Sequence, residues 1–159
     1  MLPFDDDVVK DRKGTVFWIS LVYGVAVMSP FNAVLSTLDF FEDAMPGYPI
    51  SFVVSFAING IMVFVVMVCI AYPEKGSHGV KISLMFLLTS AILVAIPYAT
   101  DLTSSKAGPG VSFYVIVGVL CLLGAITAIS QSAVFAYMSV LPERYMAICS
   151  TGFGVSGIL

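Results

Sequence analysis

Long apolar runs separated by short polar loops dominate the sequence. A membrane-spanning helix needs ~20 predominantly apolar residues, and four runs approach or exceed this length: Thr15–Leu38, Ile50–Tyr72, Ile82–Thr100 and Val111–Leu141. We therefore predict an all-α, polytopic membrane helix bundle. A tail at residues 1–14 precedes a transmembrane domain at 15–159, with helices at about 15–41, 50–72, 80–100 and 111–141 and a partial helix at 146–159.

The composition agrees with a membrane protein. Hydrophobic residues make up 59% of the 159 positions and charged residues only 11%, and the mean hydropathy is +1.02, well outside the range of soluble domains. The last apolar run is too short to cross a bilayer, so we expect the chain to be the N-terminal portion of a larger protein. The net charge is −3 and no basic cluster is present, which argues against nucleic-acid binding.

The positions of lysine and arginine predict the orientation in the membrane. Because cytoplasmic loops carry an excess of these residues, the better arrangement has the N-terminus in the cytoplasm. Only Lys106 then lies outside. The basic residues on the cytoplasmic side are Lys10, Arg12, Lys13, Lys75, Lys81 and Arg144.

The first run carries polar residues that lipid would penalise. Ser29, Asn32, Ser36 and Asp39 follow one another at helical spacing and share one face. Pro30 lacks a backbone N–H and is expected to interrupt the helix. We interpret the face as lining a hydrated cavity, because broken helices line binding sites in transporters. The alternative is that these side chains hydrogen-bond a neighbouring helix, that Pro30 makes a structural kink and that Asp39 lies at headgroup level.

A second polar face is predicted on the next run, where Ser51, Ser55 and Asn59 recur at every fourth position. This face could share the interior with the first one. Hydrogen bonds between helices, at about 0.6–2 kcal/mol each, are an equally adequate explanation.

Two different stripes follow the fourth run. One contains small residues at every fourth position, which would let another helix approach closely: Gly124, Ala128, Ser132 and Ala136. The other combines an amide, an aromatic ring and a thioether: Thr127, Gln131, Phe135 and Met138. The Gln131 amide offers two donors and an acceptor that need partners at membrane depth. A flat polar solute would supply these partners while its faces contacted Phe135 or Phe31.

The sequence offers little for catalysis. Its one histidine, His78, lies in a predicted loop, and its three cysteines lie singly in apolar runs. We find no nucleophile elbow, paired carboxylates, zinc signature or phosphate-binding glycine loop. We therefore predict a protein that is not an enzyme and that needs neither a metal nor a cofactor.

Two segments resemble the equilibrative nucleoside transporter family. The segment MSPFNAVLSTLDFF is similar to the family's first-helix pattern, in which a proline, a tryptophan and an asparagine precede an aromatic helix end. The segment QSAVFAYMSVLPERYMAICSTGFGVSG is more specific. Its matching positions are Gln131, Phe135, Pro142, Tyr145, Gly152, Gly154 and Gly157. Phe31 stands where many family members have tryptophan, and the family's ribose-contacting Asp and Arg belong to a later helix that this chain does not include.

The resemblance implies a major-facilitator-like bundle with a cytoplasmic N-terminus and a central substrate cavity. It also implies that Gln131 hydrogen-bonds a nucleobase, that Phe31 contacts the base and that Asn32 shapes the cavity. Three glycines would permit close packing near this pathway, in addition to Gly124: Gly152, Gly154 and Gly157.

We therefore predict a transporter that mediates facilitated diffusion of nucleosides or nucleobases by alternating access. The alternatives are a non-transporting four-helix scaffold and a carrier for another small polar solute. The expected partners are the substrate and the lipid bilayer, with no obligate protein partner, in the plasma membrane of a eukaryotic cell. Asp39 is the candidate for any coupling to protons. The predicted substrate-binding residues are Gln131, Asn32, Phe31, Phe135, Met28 and Leu35.

Overall fold

The computed structural model describes residues 14–72 and 78–158, with the backbone alone described at 78, 103–107 and 109. This part of the chain contains helices and no strand. The helices are α1 (Thr15–Ser36), α2 (Leu38–Ala44), α3 (Ile50–Ala71), α4 (His78–Ala107), α5 (Pro109–Met138) and α6 (Glu143–Ser156).

Four of these helices are long and apolar enough to cross a membrane. The apolar segments are Thr15–Ser36, Ile50–Ala71, Gly79–Leu102 and Gly110–Met138. Many of their large side chains, such as Phe52 and Phe64, point outward, as expected when lipid instead of water surrounds a bundle. The prediction of an all-α membrane helix bundle is confirmed.

The break in the first span does not lie at the proline. α1 continues through Pro30 and ends at Ser36, so the predicted interruption at Pro30 is wrong. Thr37 separates α1 from α2, and its hydroxyl donates to the carbonyls of Ala33 and Val34. The Ser36 hydroxyl similarly donates to the carbonyls of Asn32 and Ala33. Hydroxyl groups that bond back to their own helix compete with the helical hydrogen bonds and often bend the helix.

Turn chemistry sets the ends of α4 and α5. α4 continues through Pro97 to Ala107, past the predicted end at residue 100, and ends directly before Gly108. Gly108 has φ 85°, which favours glycine, and Pro109 then occupies the first turn of α5. α6 begins directly after Pro142, earlier than the predicted residue 146, with Glu143 in its first turn where the helix dipole favours a negative charge.

Two clusters of buried apolar side chains lie toward opposite ends of the bundle. The larger one, which we call the α3 cluster, joins α3 to the end of α1, to α2 and to parts of α4 and α5: Val34, Phe41, Met45, Ile50, Val54, Ile58, Ile96, Ile116, Leu120 and Leu123. The smaller one, the α6 cluster, joins α6 to α1, α4 and α5: Val27, Ile82, Ala133, Val134, Met138 and Cys149.

The polar face of α3 does not point into the interior. Asn59 is exposed, and its Nδ2 donates to the Ser55 carbonyl of the same helix at 2.8 Å. Ser51 is also exposed, and its hydroxyl donates to the Glu42 carboxylate near the start of the helix. The buried face of α3 is instead apolar and includes Val54 and Ile58. The proposal that α3 and α1 share a polar interior is therefore wrong.

Candidate functional site

The candidate site is built where α1, α5 and α6 meet, and a backbone contact between α1 and α6 positions it. Gly24 and Gly152 are both buried at this crossing. A Cβ placed on Gly152 would lie 2.5 Å from the Leu21 carbonyl oxygen and 2.9 Å from the Gly24 Cα. Such an approach is possible only without side chains on either glycine, as at other crossings of small residues in membranes.

A pair of hydrogen bonds joins the same two helices further along. Asn32 Nδ2 donates to the Ser156 carbonyl oxygen at 2.8 Å and to the Ser156 Oγ at 3.0 Å. α1 and α6 run in the same direction. Residue numbers rise together along both helices, from the contact of Gly24 with Gly152 to that of Asn32 with Ser156. This is the arrangement expected for two helices separated by the three spans α3, α4 and α5.

The Gln131 amide differs from the Asn32 amide in its hydrogen bonding. Gln131 is half-buried on α5, and no hydrogen bond joins its amide to any described residue. One turn later, the rings of Phe135 and Phe153 on α6 meet edge to face, with centroids 5.4 Å apart. An unpaired amide beside an aromatic pair can bind a planar solute through hydrogen bonds and ring contact.

The other predicted binding residues are divided between the two clusters. Phe31 packs against the α3 cluster, whereas Met28 packs against the α6 cluster. Leu35 is half-buried and packs against neither cluster. The structure therefore places Asn32, Met28 and Phe135 toward α6, whereas Phe31 packs toward α3.

The predicted packing glycines have different surroundings. Gly124 packs closely on α3, where an added Cβ would lie 2.6 Å from Ile61 Cγ2 and 2.8 Å from the Ile58 carbonyl oxygen. Gly154 is exposed and an added Cβ would meet nothing within 4 Å. Gly157 is exposed and follows the end of α6. Among the described residues neither Gly154 nor Gly157 packs against α1, so their packing role stays a prediction.

Asp39 lies away from this site. It is exposed in the first turn of the short helix α2, beyond the break at Thr37. Its position favours a role at the membrane surface over one beside Asn32.

A separate cavity of about 400 Å³ lies between the α1–α2 break and α4. Its walls are almost entirely apolar, and the Thr37 hydroxyl on it is already bonded to carbonyls of α1. None of the predicted binding residues lines it. The lining residues are Ala33, Val34, Thr37, Phe40, Phe41, Leu93, Ile96 and Pro97.

Comparison with curated proteins identifies the relatives of the chain. Equilibrative nucleotide transporter 1 of Arabidopsis thaliana is 28% identical over 164 aligned positions, which cover 99% of this chain. Equilibrative nucleotide transporter 8 of the same plant is 21% identical over 155 positions and 98% of the chain. The human equilibrative nucleoside transporter 4 is 21% identical over 155 positions, again 98% of the chain. The chain is a relative of the equilibrative nucleoside transporters.

The predicted resemblance to this family is thus confirmed. The chain spans 36% of the length of nucleotide transporter 1, 40% of nucleotide transporter 8 and 29% of the human nucleoside transporter 4. No family model matches the chain, and no solved structure matches it. The four apolar helices and the similarity to membrane transporters support an integral membrane protein, and nothing in these similarities points to catalysis. Among the described residues, no group of three or more His, Cys, Asp or Glu could hold a metal ion.

The sequence does not predict three residues of the site: Gly24, Phe153 and Ser156. The sequence does contain a signal for two of them. Ser20 and Gly24 on α1, and Gly152 and Ser156 on α6, are pairs of small residues four positions apart, the spacing typical of helices that pack closely in membranes. All four are buried at the α1–α6 contact or beside it.

Proposed function

We propose that the chain forms part of a membrane transporter that mediates facilitated diffusion of nucleosides or nucleobases. The observation that carries this proposal is the half-buried amide of Gln131, which has no hydrogen-bond partner among the described residues. Because this amide makes no hydrogen bond within the described chain, all of its donors and its acceptor are available to a solute. The relatives, which are named as nucleoside and nucleotide transporters, support the class of substrate.

In this proposal the site binds its substrate without forming a covalent bond. Gln131 offers both donors and an acceptor to a nucleobase, and Phe135, backed by Phe153, contacts the face of the ring. Asn32 and Met28 shape the side formed by α1, and Phe31 and Leu35 extend the apolar wall. Each solute loses hydration and gains a few hydrogen bonds and ring contact, which gives weak binding that permits release.

We further propose a major-facilitator-like arrangement for the complete transporter. The site would be exposed alternately to each side of the membrane, with the N-terminus in the cytoplasm of a eukaryotic cell and the protein in its plasma membrane. The distribution of lysine and arginine in the loops supports this orientation. Asp39, which is exposed near the predicted outer end, is the candidate residue for any coupling to protons.

A scaffold without transport activity is the second candidate. The hydrogen bonds of Asn32 to α6 favour it, because interhelical hydrogen bonding alone explains this polar residue. The third candidate, a carrier for another small polar solute, uses the same unpaired Gln131 amide.

Uptake measurements separate these candidates. The transporter that contains this chain should be expressed in a cell without nucleoside transport, and uptake of labelled adenosine, uridine and hypoxanthine should be followed over time. We expect at least one of them to enter until its internal concentration equals the external one, since facilitated diffusion does no work. Surface expression without uptake of any of the three would favour the scaffold, and uptake of amino acids or sugars alone would favour the third candidate.

A further inference from the structure

The chemistry of Ser156 fixes the orientation of the Asn32 amide. The Ser156 hydroxyl donates its single proton to the Phe153 carbonyl oxygen at 2.7 Å. Toward Asn32 the hydroxyl oxygen can therefore only accept, and the Ser156 carbonyl oxygen can likewise only accept. The Asn32 atom that faces these two oxygens at 3.0 and 2.8 Å must be the amide nitrogen, since an oxygen there could donate to neither.

The hydrogen-bonding capacity that remains on Asn32 follows from this orientation. The amide nitrogen donates to two oxygens of Ser156, so its hydrogen bonds are made within the protein. No donor among the described residues reaches the Asn32 Oδ1. Because Asn32 is only half-buried, this oxygen can face a solute. Asn32 therefore presents an acceptor, whereas Gln131 on α5 retains both donors and an acceptor.

The residue that supports Asn32 is buried in a close contact between helices. Ser156 is 3% exposed and lies one turn after Gly152 on the face that α6 packs against α1. The backbone contact of Gly24 with Gly152 holds the two helices together at this depth. A binding group is most selective when residues locked by packing hold it in one orientation.

We propose that Ser156 is a positioning residue that makes Asn32 select solutes carrying a hydrogen-bond donor, an N–H of a base or an O–H of a sugar. This inference rests on the proposed transport of nucleosides or nucleobases and adds a rule for selectivity at that site. A solute that lacks the donor leaves Asn32 Oδ1 without its hydration and without a partner, which is the situation that gives strong discrimination.

The test compares solutes that differ by one donor. Inhibition of labelled inosine uptake is measured with inosine, 1-methylinosine, 2′-deoxyinosine and 3′-deoxyinosine, and the preference for the parent over each analogue is calculated. We expect at least one preference of about fivefold in the unmodified transporter, the factor contributed by one hydrogen bond. Ser156→Ala should reduce that preference at least about twofold, because the Asn32 amide then loses one of its two acceptors.

Ser150→Ala is the matched control. Ser150 is exposed on the same helix, and its hydroxyl also bonds back to a carbonyl, that of Met146 at 3.1 Å. This variant should retain all preferences. Asn32→Ala removes the acceptor without changing α6, so it should abolish the preference. This variant still tests the inference if Ser156→Ala reaches the cell surface poorly.

The outcomes are distinguishable. If Ser156→Ala and Asn32→Ala both retain every preference of the unmodified transporter, the inference about Ser156 is overturned while the proposed transport stands. If the unmodified transporter takes up no nucleoside or nucleobase, the proposed function itself fails. A general fall in uptake with unchanged preferences would assign Ser156 a structural role only and would also overturn the inference.

Discussion

Gly152→Ala should destabilise the protein and prevent most of it from reaching the membrane in folded form. The added methyl group would lie 2.5 Å from the Leu21 carbonyl oxygen and 2.9 Å from the Gly24 Cα, and both are backbone atoms that cannot move aside as a side chain would. Overpacking of this kind typically costs about 1–3 kcal/mol, and α1 and α6 would have to separate to relieve it. The melting temperature of the detergent-solubilised protein and its amount at the cell surface measure the effect.

Gly154→Ala provides the matched control. Both glycines lie within α6, but nothing lies within 4 Å of a Cβ added to Gly154. Alanine is favoured over glycine in a helix by about 1 kcal/mol, so this variant should be unchanged or slightly more stable. Equal melting temperatures for Gly152→Ala and Gly154→Ala would contradict the close crossing of α1 and α6.

Gln131→Ala should have the largest effect on transport. We expect the KM for nucleosides to rise about tenfold, because two lost hydrogen bonds of typical strength correspond to about 1–3 kcal/mol and each 1.4 kcal/mol to a factor of ten. Surface expression should change little, because the Gln131 amide bonds to no other described residue and its removal leaves no partner unsatisfied. Initial uptake rates at several nucleoside concentrations give both quantities.

Ser132→Ala distinguishes loss of binding from a general disturbance of α5. Ser132 follows Gln131 directly and is also half-buried, but its hydroxyl donates to the Ala128 carbonyl oxygen of the same helix at 2.9 Å. Its KM should stay within about twofold of the unmodified value, since loss of a bond within a helix does not change the site. An unchanged KM in Gln131→Ala would remove this residue from the substrate site.

The sequence predicts the spans well but not the break in the first one. Hydropathy identifies the four long helices because the hydrocarbon core of a bilayer requires ~20 apolar residues in a row. The sequence predicts the break at a proline. The helix accommodates Pro30 and ends instead beside Thr37, whose hydroxyl bonds to two carbonyls of the preceding turn. Propensity does not reveal which of two nearby residues disrupts a helix, because the surrounding packing decides it.

Periodicity predicts which residues share a helix face but not where that face points. Asn59 and Ser55 do lie on one face of α3, and this face is directed outward and satisfied within the helix. In water, polar faces can be assigned to the solvent. In a membrane, lipid and neighbouring helices are both apolar, so the sequence pattern does not distinguish a face toward lipid from one toward the interior.

Contacts distant in sequence are the part of the site that one sequence could not predict. Asn32 was correctly singled out as a polar residue that needs a partner at membrane depth, but that partner, Ser156, lies 124 positions away. The pairs of small residues on α1 and α6 indicate that each helix packs closely, without indicating against which helix. Gln131 was identified because its chemical groups, and not its contacts, made it unusual.

The partnership of α1 with α6 has a consequence for biogenesis. The ribosome completes α1 well before it makes α6, and the 124 positions from Asn32 to Ser156 take about 6–25 s at ~5–20 residues per second. During that interval the Asn32 amide and the glycine surface of α1 enter the bilayer without the helix that covers them. Final packing of α1 therefore waits for the synthesis of α6, so a nascent chain cut short before Ser156 would expose α1 to cellular quality control.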